Sequence, residues 1–132
     1  MVEMVLHRIL ISETNDQQYI FLKEKVGDRA FPIVIGFNEA QAIHRFVNEQ
    51  PVPRPMTHDL LLKVVEALGA RLVRVDVTDL KESTFFASLV LETADGRSVE
   101  VDARPSDAVA LAAATKARIF VAERVVEESA AS

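Results

Sequence analysis

The sequence predicts a single α+β domain, a mixed β-sheet packed by about three helices in the order βββααβββαβ. Three observations carry that prediction. Short aliphatic runs with strand character come in groups of three. Two segments between residues 38 and 68 space their apolar residues as helices do. Gly, Pro and Asn/Asp clusters cut the chain into lengths that suit strands and short helices. With 132 residues, 49% of them hydrophobic, the chain suits one domain and can bury a core without disulfides or metals. That domain is expected to span residues 1–126, with residues 127–132 as a frayed tail.

The first strand is read over residues 2–11, before the turn cluster Ser12-Glu13-Thr14-Asn15-Asp16, and the second over residues 19–26. Gly27-Asp28 marks a tight turn into a third strand over residues 30–35, where Pro32 demands an edge or a strand start. From Asn38 to about Gln50 the period becomes helical, with Ala40, Ile43 and Val47 on one face. Pro51, Pro53 and Pro55 stiffen a short connection to a second helix. There Thr57 suits the N-cap, Leu60, Leu61, Val64, Val65 and Leu68 form the apolar face, and Gly69 ends the helix.

Val73, Val75 and Val77 alternate with Arg74 and Asp76 as in a half-exposed strand over residues 71–77. Residues 85–92 form the next strand, and Asp95-Gly96 signals a two-residue hairpin into residues 98–103. These three strands form a meander. A helix then starts at Pro105 and is apolar nearly all round, so it is expected to be buried; Ile119-Phe120-Val121 is a last strand.

Composition narrows the function. There are 15 Lys and Arg against 20 Asp and Glu, a net charge of −5, which disfavours tight, non-specific binding of nucleic acid through phosphates alone. With no cysteine, thiol chemistry and thiolate metal sites are excluded. No apolar run approaches the roughly 18 to 20 residues of a spanning helix and no basic leader opens the chain, so a cytoplasmic protein without a membrane partner is expected. Phosphate-loop, dinucleotide-glycine, His-x-x-x-His and GxSxG motifs are missing, which removes nucleotide-driven motors and serine hydrolases.

The informative junction is Asp102-Ala103-Arg104-Pro105-Ser106-Asp107. Strand alternation puts Glu100, Asp102 and Arg104 on one face, and Pro105 opens a helix whose first turn carries Ser106 and Asp107. Such a turn suits a phosphate or, equally, its own acid. Functionally, Arg104 would clamp a phosphate oxygen while Asp102 and Asp107 hold a divalent cation or orient water. Structurally, the same residues would satisfy one another at a helix start. His58, which follows the proline-stiffened connection beside Asp59, is either a general base or a helix-start histidine. Glu39 is ambiguous in the same way, whereas His7 and His44 read as structural or exposed.

Ile35-Gly36, Glu39-Ala40, the run Arg54-Pro55-Met56-Thr57-His58-Asp59-Leu60-Leu61, the segment Thr84-Phe85-Phe86-Ala87 and Asp102-Ala103-Arg104-Pro105-Ser106-Asp107-Ala108 together closely resemble the bifunctional nuclease domain family. The resemblance covers nearly the whole chain. It implies a small α+β domain, some of whose relatives are described as degrading both RNA and DNA. By position, the family pattern falls on Glu39, Arg54, His58, Asp59, Asp102, Arg104, Ser106 and Asp107. The expectation is a metal-assisted nuclease hydrolysing phosphodiester bonds of RNA and/or DNA. His58, Asp59, Asp102 and Asp107 are its catalytic candidates, and Arg54, Arg104 and Ser106 its substrate contacts. Asp102, Asp107 and Glu39 are candidate ligands for a divalent cation, Mg²⁺ by preference for oxygen donors. The alternative is a non-catalytic interaction or regulatory module; a homo-oligomer is expected. A smaller alternative is a phosphorylated small molecule bound at the Ser106 helix end.

Overall fold

In a computed structural model, residues 1–14 and 16–130 are described. Asn15 of the expected turn and residues 131–132 of the expected tail lie outside them. The elements run β1 (Val2–Leu10), β2 (Gln18–Glu24), β3 (Ala30–Ile35), α1 (Phe37–Val47), α2 (Thr57–Ala67), β4 (Arg71–Lys81), β5 (Thr84–Glu92), β6 (Ser98–Ala103), α3 (Pro105–Thr115), β7 (Arg118–Val121) and α4 (Glu123–Ala130). The α+β class and the expected order hold, with one helix added at the end.

That helix corrects the expected tail, because residues 127–130 are the second half of α4. Val125 and Val126 are fully buried, and α4 packs on β3 and β4. Its outer side is tied down by Arg29 to Glu123 at 2.7 Å and by Arg124 to both Asp79 and Glu128. Two smaller corrections concern local signals. Met56, not Thr57, is the N-cap of α2. The Asp95-Gly96 hairpin is closed by Thr93 N–H to Arg97 O at 2.8 Å and Gly96 N–H to Thr93 O at 3.0 Å, so its loop has three residues, with Gly96 at φ +84°.

All strands join one sheet in the order β3-β2-β1-β7-β4-β5-β6. Short loops give two antiparallel meanders, β1-β2-β3 and β4-β5-β6, and β7 lies between them, antiparallel to β1 and parallel to β4. Pro32 sits on edge strand β3, as its missing N–H requires. The sheet is strongly curled. β3 and β5 are five positions apart, about 24 Å in a flat sheet at roughly 4.8 Å per strand. Yet Phe31 of β3 and Phe85 of β5 stack with ring centroids 5.7 Å apart.

Helix α3 is the most deeply set, with Ala108, Val109, Ala110, Leu111 and Ala112 at most 2% exposed. Its alanines let α1 and α2 approach it while it packs on β4, β5 and β7. Helix α2 is the opposite case: none of its residues is fully buried, and Leu60, Leu61 and Val64 are exposed. Among the described residues no helix is long and apolar enough to cross a membrane.

Candidate functional site

Three helices start beside one another. Glu39, Asp59 and Asp107 are each the third residue of their helix, after the N-caps Gly36, Met56 and Arg104. An acid there is favoured by the positive helix end and can cap the free amides. Asp59 does so, accepting the Met56 N–H at 3.0 Å, and it also receives Arg45 Nη2 at 2.7 Å. Asp107 does not cap its helix: its Oδ1 lies 2.9 Å from His58 Nε2 and its Oδ2 accepts Arg104 Nε at 2.9 Å. Arg104 Nη1 also reaches Glu39 Oε1 at 3.3 Å. Glu39, Arg104, Asp107 and His58 thus form one continuous chain of charge and hydrogen bonds across α1, α3 and α2.

The cleft around this chain has a volume of about 480 Å³, and Asn38, Gln41, Arg45, Gln50 and Met56 are among the other residues of its wall. His58 is held on a second side by the Phe46 ring, edge-on at 6.5 Å, and Phe46 in turn carries the Arg45 guanidinium 4.3 Å above it. Burial pushes the Asp107 carboxyl up, but the hydrogen bonds from Arg104 and His58 outweigh it and leave the group below the usual aspartate range. Asp59 shows the same balance, with Arg45 and the Met56 N–H overcoming burial. Arg104 is raised by Asp107. The cleft therefore holds ionised carboxylates beside fixed guanidinium groups, with an imidazole between them.

Residues 20–132 match the bifunctional nuclease domain. The chain belongs to that family. It is also 40% identical over 121 residues to proteins of two Mycobacterium tuberculosis strains, covering 92% of this chain and 71% of theirs. Both relatives are named only as uncharacterized proteins.

Of the positions that carry the family resemblance, the structure unites Glu39, His58, Arg104 and Asp107. Asp59 is next door, turned to Arg45 and lining the adjoining groove with Lys63 and Glu66. Asp102 is not in the cleft. It is exposed on β6 opposite Ser88 and has no side-chain partner among the described residues. Ser106 is buried and faces a separate groove between β3 and Phe85. Arg54 is exposed and makes no ion pair or hydrogen bond among the described residues.

Arg45 escaped the sequence reading, which quoted Gly36 but gave it no role. Arg45 binds Asp59 across the proline connection, a pairing that no local pattern announces. Gly36 has a specific reason to be glycine: a Cβ there would lie 2.6 Å from Glu39 Oε1, so only a bare Cα lets that carboxylate fold back over the start of α1. A larger hollow of about 610 Å³ lies elsewhere, floored by Val109, Ala112 and Ile119, but its cations are paired, Lys25 and Arg118 with Glu3 and Lys116 with Glu49.

Proposed function

We propose that this domain cleaves phosphodiester bonds of RNA and/or DNA at the cleft where α1, α2 and α3 begin. The observation that carries this reading is the Asp107–His58 contact, made by an acid that forgoes capping its own helix. An aspartate on one ring nitrogen fixes the tautomer and orientation of an imidazole and leaves the other nitrogen to move a proton. Arg104, 65% exposed while anchored through Nε, presents its remaining N–H groups to a phosphate oxygen. Its family membership supports the same reading.

The cation expected from the sequence finds a poor donor set here. A hard divalent ion prefers several free oxygens, whereas Asp107 has both oxygens engaged, Glu39 is on Arg104, and Asp102 is outside the cleft. Among the described residues no three His, Cys, Asp or Glu side chains gather as a metal site. Accordingly, no step of the proposed reaction is assigned to a metal.

The test is cleavage of end-labelled single-stranded RNA and DNA by highly purified protein, comparing wild type with folded His58→Ala and Asp107→Asn variants. The expected result is cleavage that falls about 10²-fold or more in both variants, as for loss of a positioned acid or base. Equal cleavage by all three would remove the activity from this cleft. The interaction-module reading draws on a different observation, the apolar side chains that α2 leaves uncovered. A sedimentation measurement that found a stable homo-oligomer would favour it if cleavage were absent.

A further inference from the structure

We propose that the hollow of about 610 Å³ at the C-terminal end of α3 binds a free amphipathic anion, an acyl chain ending in a carboxylate. This is a second site, and it does not depend on the nuclease reading. Lys116, on its rim, lies nine positions after Asp107, about 14 Å along the helix axis at roughly 1.5 Å per residue.

Three observations lead there. The first is the floor. Met4, Val109, Ala112 and Ile119 line the hollow and are at most 6% exposed, while Val5 and Val47 line it as exposed apolar side chains. Its volume falls within the roughly 300 to 1,000 Å³ of small-molecule pockets, whose linings are mostly apolar. Such a surface takes hydrocarbon.

The second is charge. The chain carries a net charge of −5, yet the charged residues lining this hollow are Lys25, Lys116 and Arg118 against Glu3. Glu3 is shared, 3.4 Å from Lys25 and 3.9 Å from Arg118, so one carboxylate serves two cations. Lys116 reaches Glu49 only at 3.9 Å, with both side chains exposed. Counting Glu49 as well, three cations face two acids. Long, exposed pairs of this kind contribute little, and a ligand carboxylate can join them without breaking a buried bond. The negative end of α3 offsets about half an elementary charge. Lys116 and Arg118 together exceed it.

The third is the backbone of Lys116. It closes α3 in the left-handed conformation, φ 64°. Glycine is the usual residue in that conformation at a helix end, because a side chain there crowds the backbone. A lysine is held where glycine would fit more easily, and its side chain lines the hollow.

An apolar floor beside a rim of excess cations matches the two halves of an acyl carboxylate. A nucleotide fits less well. Among the described residues no aromatic side chain lines the hollow for a base to stack on, and α3 turns its negative end toward it.

The test is isothermal titration of the intact protein with hexanoate, octanoate and decanoate, each below its micelle concentration, with octanol and decanol as uncharged controls. The expected result is saturable one-to-one binding that tightens up to about fourfold per added methylene, the gain for burying one CH₂. The alcohols should bind several-fold more weakly. Lys116→Gly should weaken decanoate binding several-fold without lowering the melting temperature, since glycine suits that backbone. Val47→Trp should weaken it by filling the hollow from its exposed side. Absence of saturable binding, affinity that ignores chain length, equal binding of the alcohols, or wild-type affinity in either variant would overturn the proposal. Binding to vesicles of phosphatidylcholine and phosphatidylglycerol with none of free decanoate would also overturn it, in favour of a membrane surface. None of these outcomes involves cleavage, so the nuclease reading stands or falls separately.

Discussion

Asp59 and Asp107 are each the third residue of their helix, yet Asp59 turns back to the Met56 N–H of its own helix while Asp107 turns outward to His58, 49 residues away in sequence. Pro105, the first residue of α3, has no N–H, so that helix start has one orphan donor fewer to satisfy.

The two acids should therefore respond oppositely to substitution. Asp59→Ala loses a cap and an ion pair and is expected to lower stability by about 0.5 to 2 kcal/mol, as cap losses do. Its effect on cleavage should be the smaller one. Asp107→Asn should lose about 10²-fold or more in cleavage with a smaller drop in melting temperature. Thermal melts and single-turnover assays on both variants check this, and the reverse ordering would make Asp107 a structural residue.

Gly36→Ala probes the Glu39 end of the chain. The backbone at Gly36, φ −75°, accepts alanine without strain, but the new Cβ displaces the Glu39 carboxylate. Stability should change by less than about 1 kcal/mol. Arg104 loses its second anchor, so the Michaelis constant for a short oligonucleotide should shift a few-fold with little change in turnover, in keeping with a partly exposed ion pair. A wild-type Michaelis constant would show that Glu39 does not position Arg104.

The acid limb of stability follows from the same bonds. Asp59 and Asp107 titrate below the usual aspartate range in the folded chain, because their ion-paired hydrogen bonds outweigh burial. The unfolded chain, with aspartates near a pKa of about 3.9, then binds protons first as the pH falls. Their stabilisation is complete above that value and is lost as the pH drops through the folded values. Urea melts from about pH 7 down to about pH 3 should show the decline beginning near pH 4. In the Asp59→Asn, Asp107→Asn double variant this limb should be shallower, and an unchanged limb would contradict the assignment.

Helix α4 is expected to be integral to the domain. Val125→Ala, at a fully buried position, should cost about 1 to 3 kcal/mol, as core truncations do. An unchanged denaturation midpoint would restore the expectation of a frayed tail.

Much of the fold was legible because its signals are local. Alternation at Val99, Val101 and Ala103 marked β6, and Pro105 after Arg104 marked the start of α3. α4 was not legible, since Val125 and Val126 are only two apolar residues in the charged run Glu123-Arg124-Val125-Val126-Glu127-Glu128. Strand periodicity separated Asp102 from Val101 but carried no information about which side the helix starts would share. The His58–Asp107 pair and the Arg45–Asp59 pair depend on how α1 and α2 pack on α3, a long-range property that spacing does not encode. His58, Asp107, Arg104 and Glu39 were singled out as residue types, while their partnership is a product of the fold.

One consequence concerns time. His58 rides on α2, the helix that contributes no fully buried residue, whereas Asp107 is rooted in α3, the most deeply buried. Local opening draws on segments with few buried contacts at far less free energy than global unfolding. The two halves of the dyad therefore belong to regions of different persistence: amide protons of α2 should exchange with solvent well before those of α3, and the pair is repeatedly parted and remade within the lifetime of a single folded molecule.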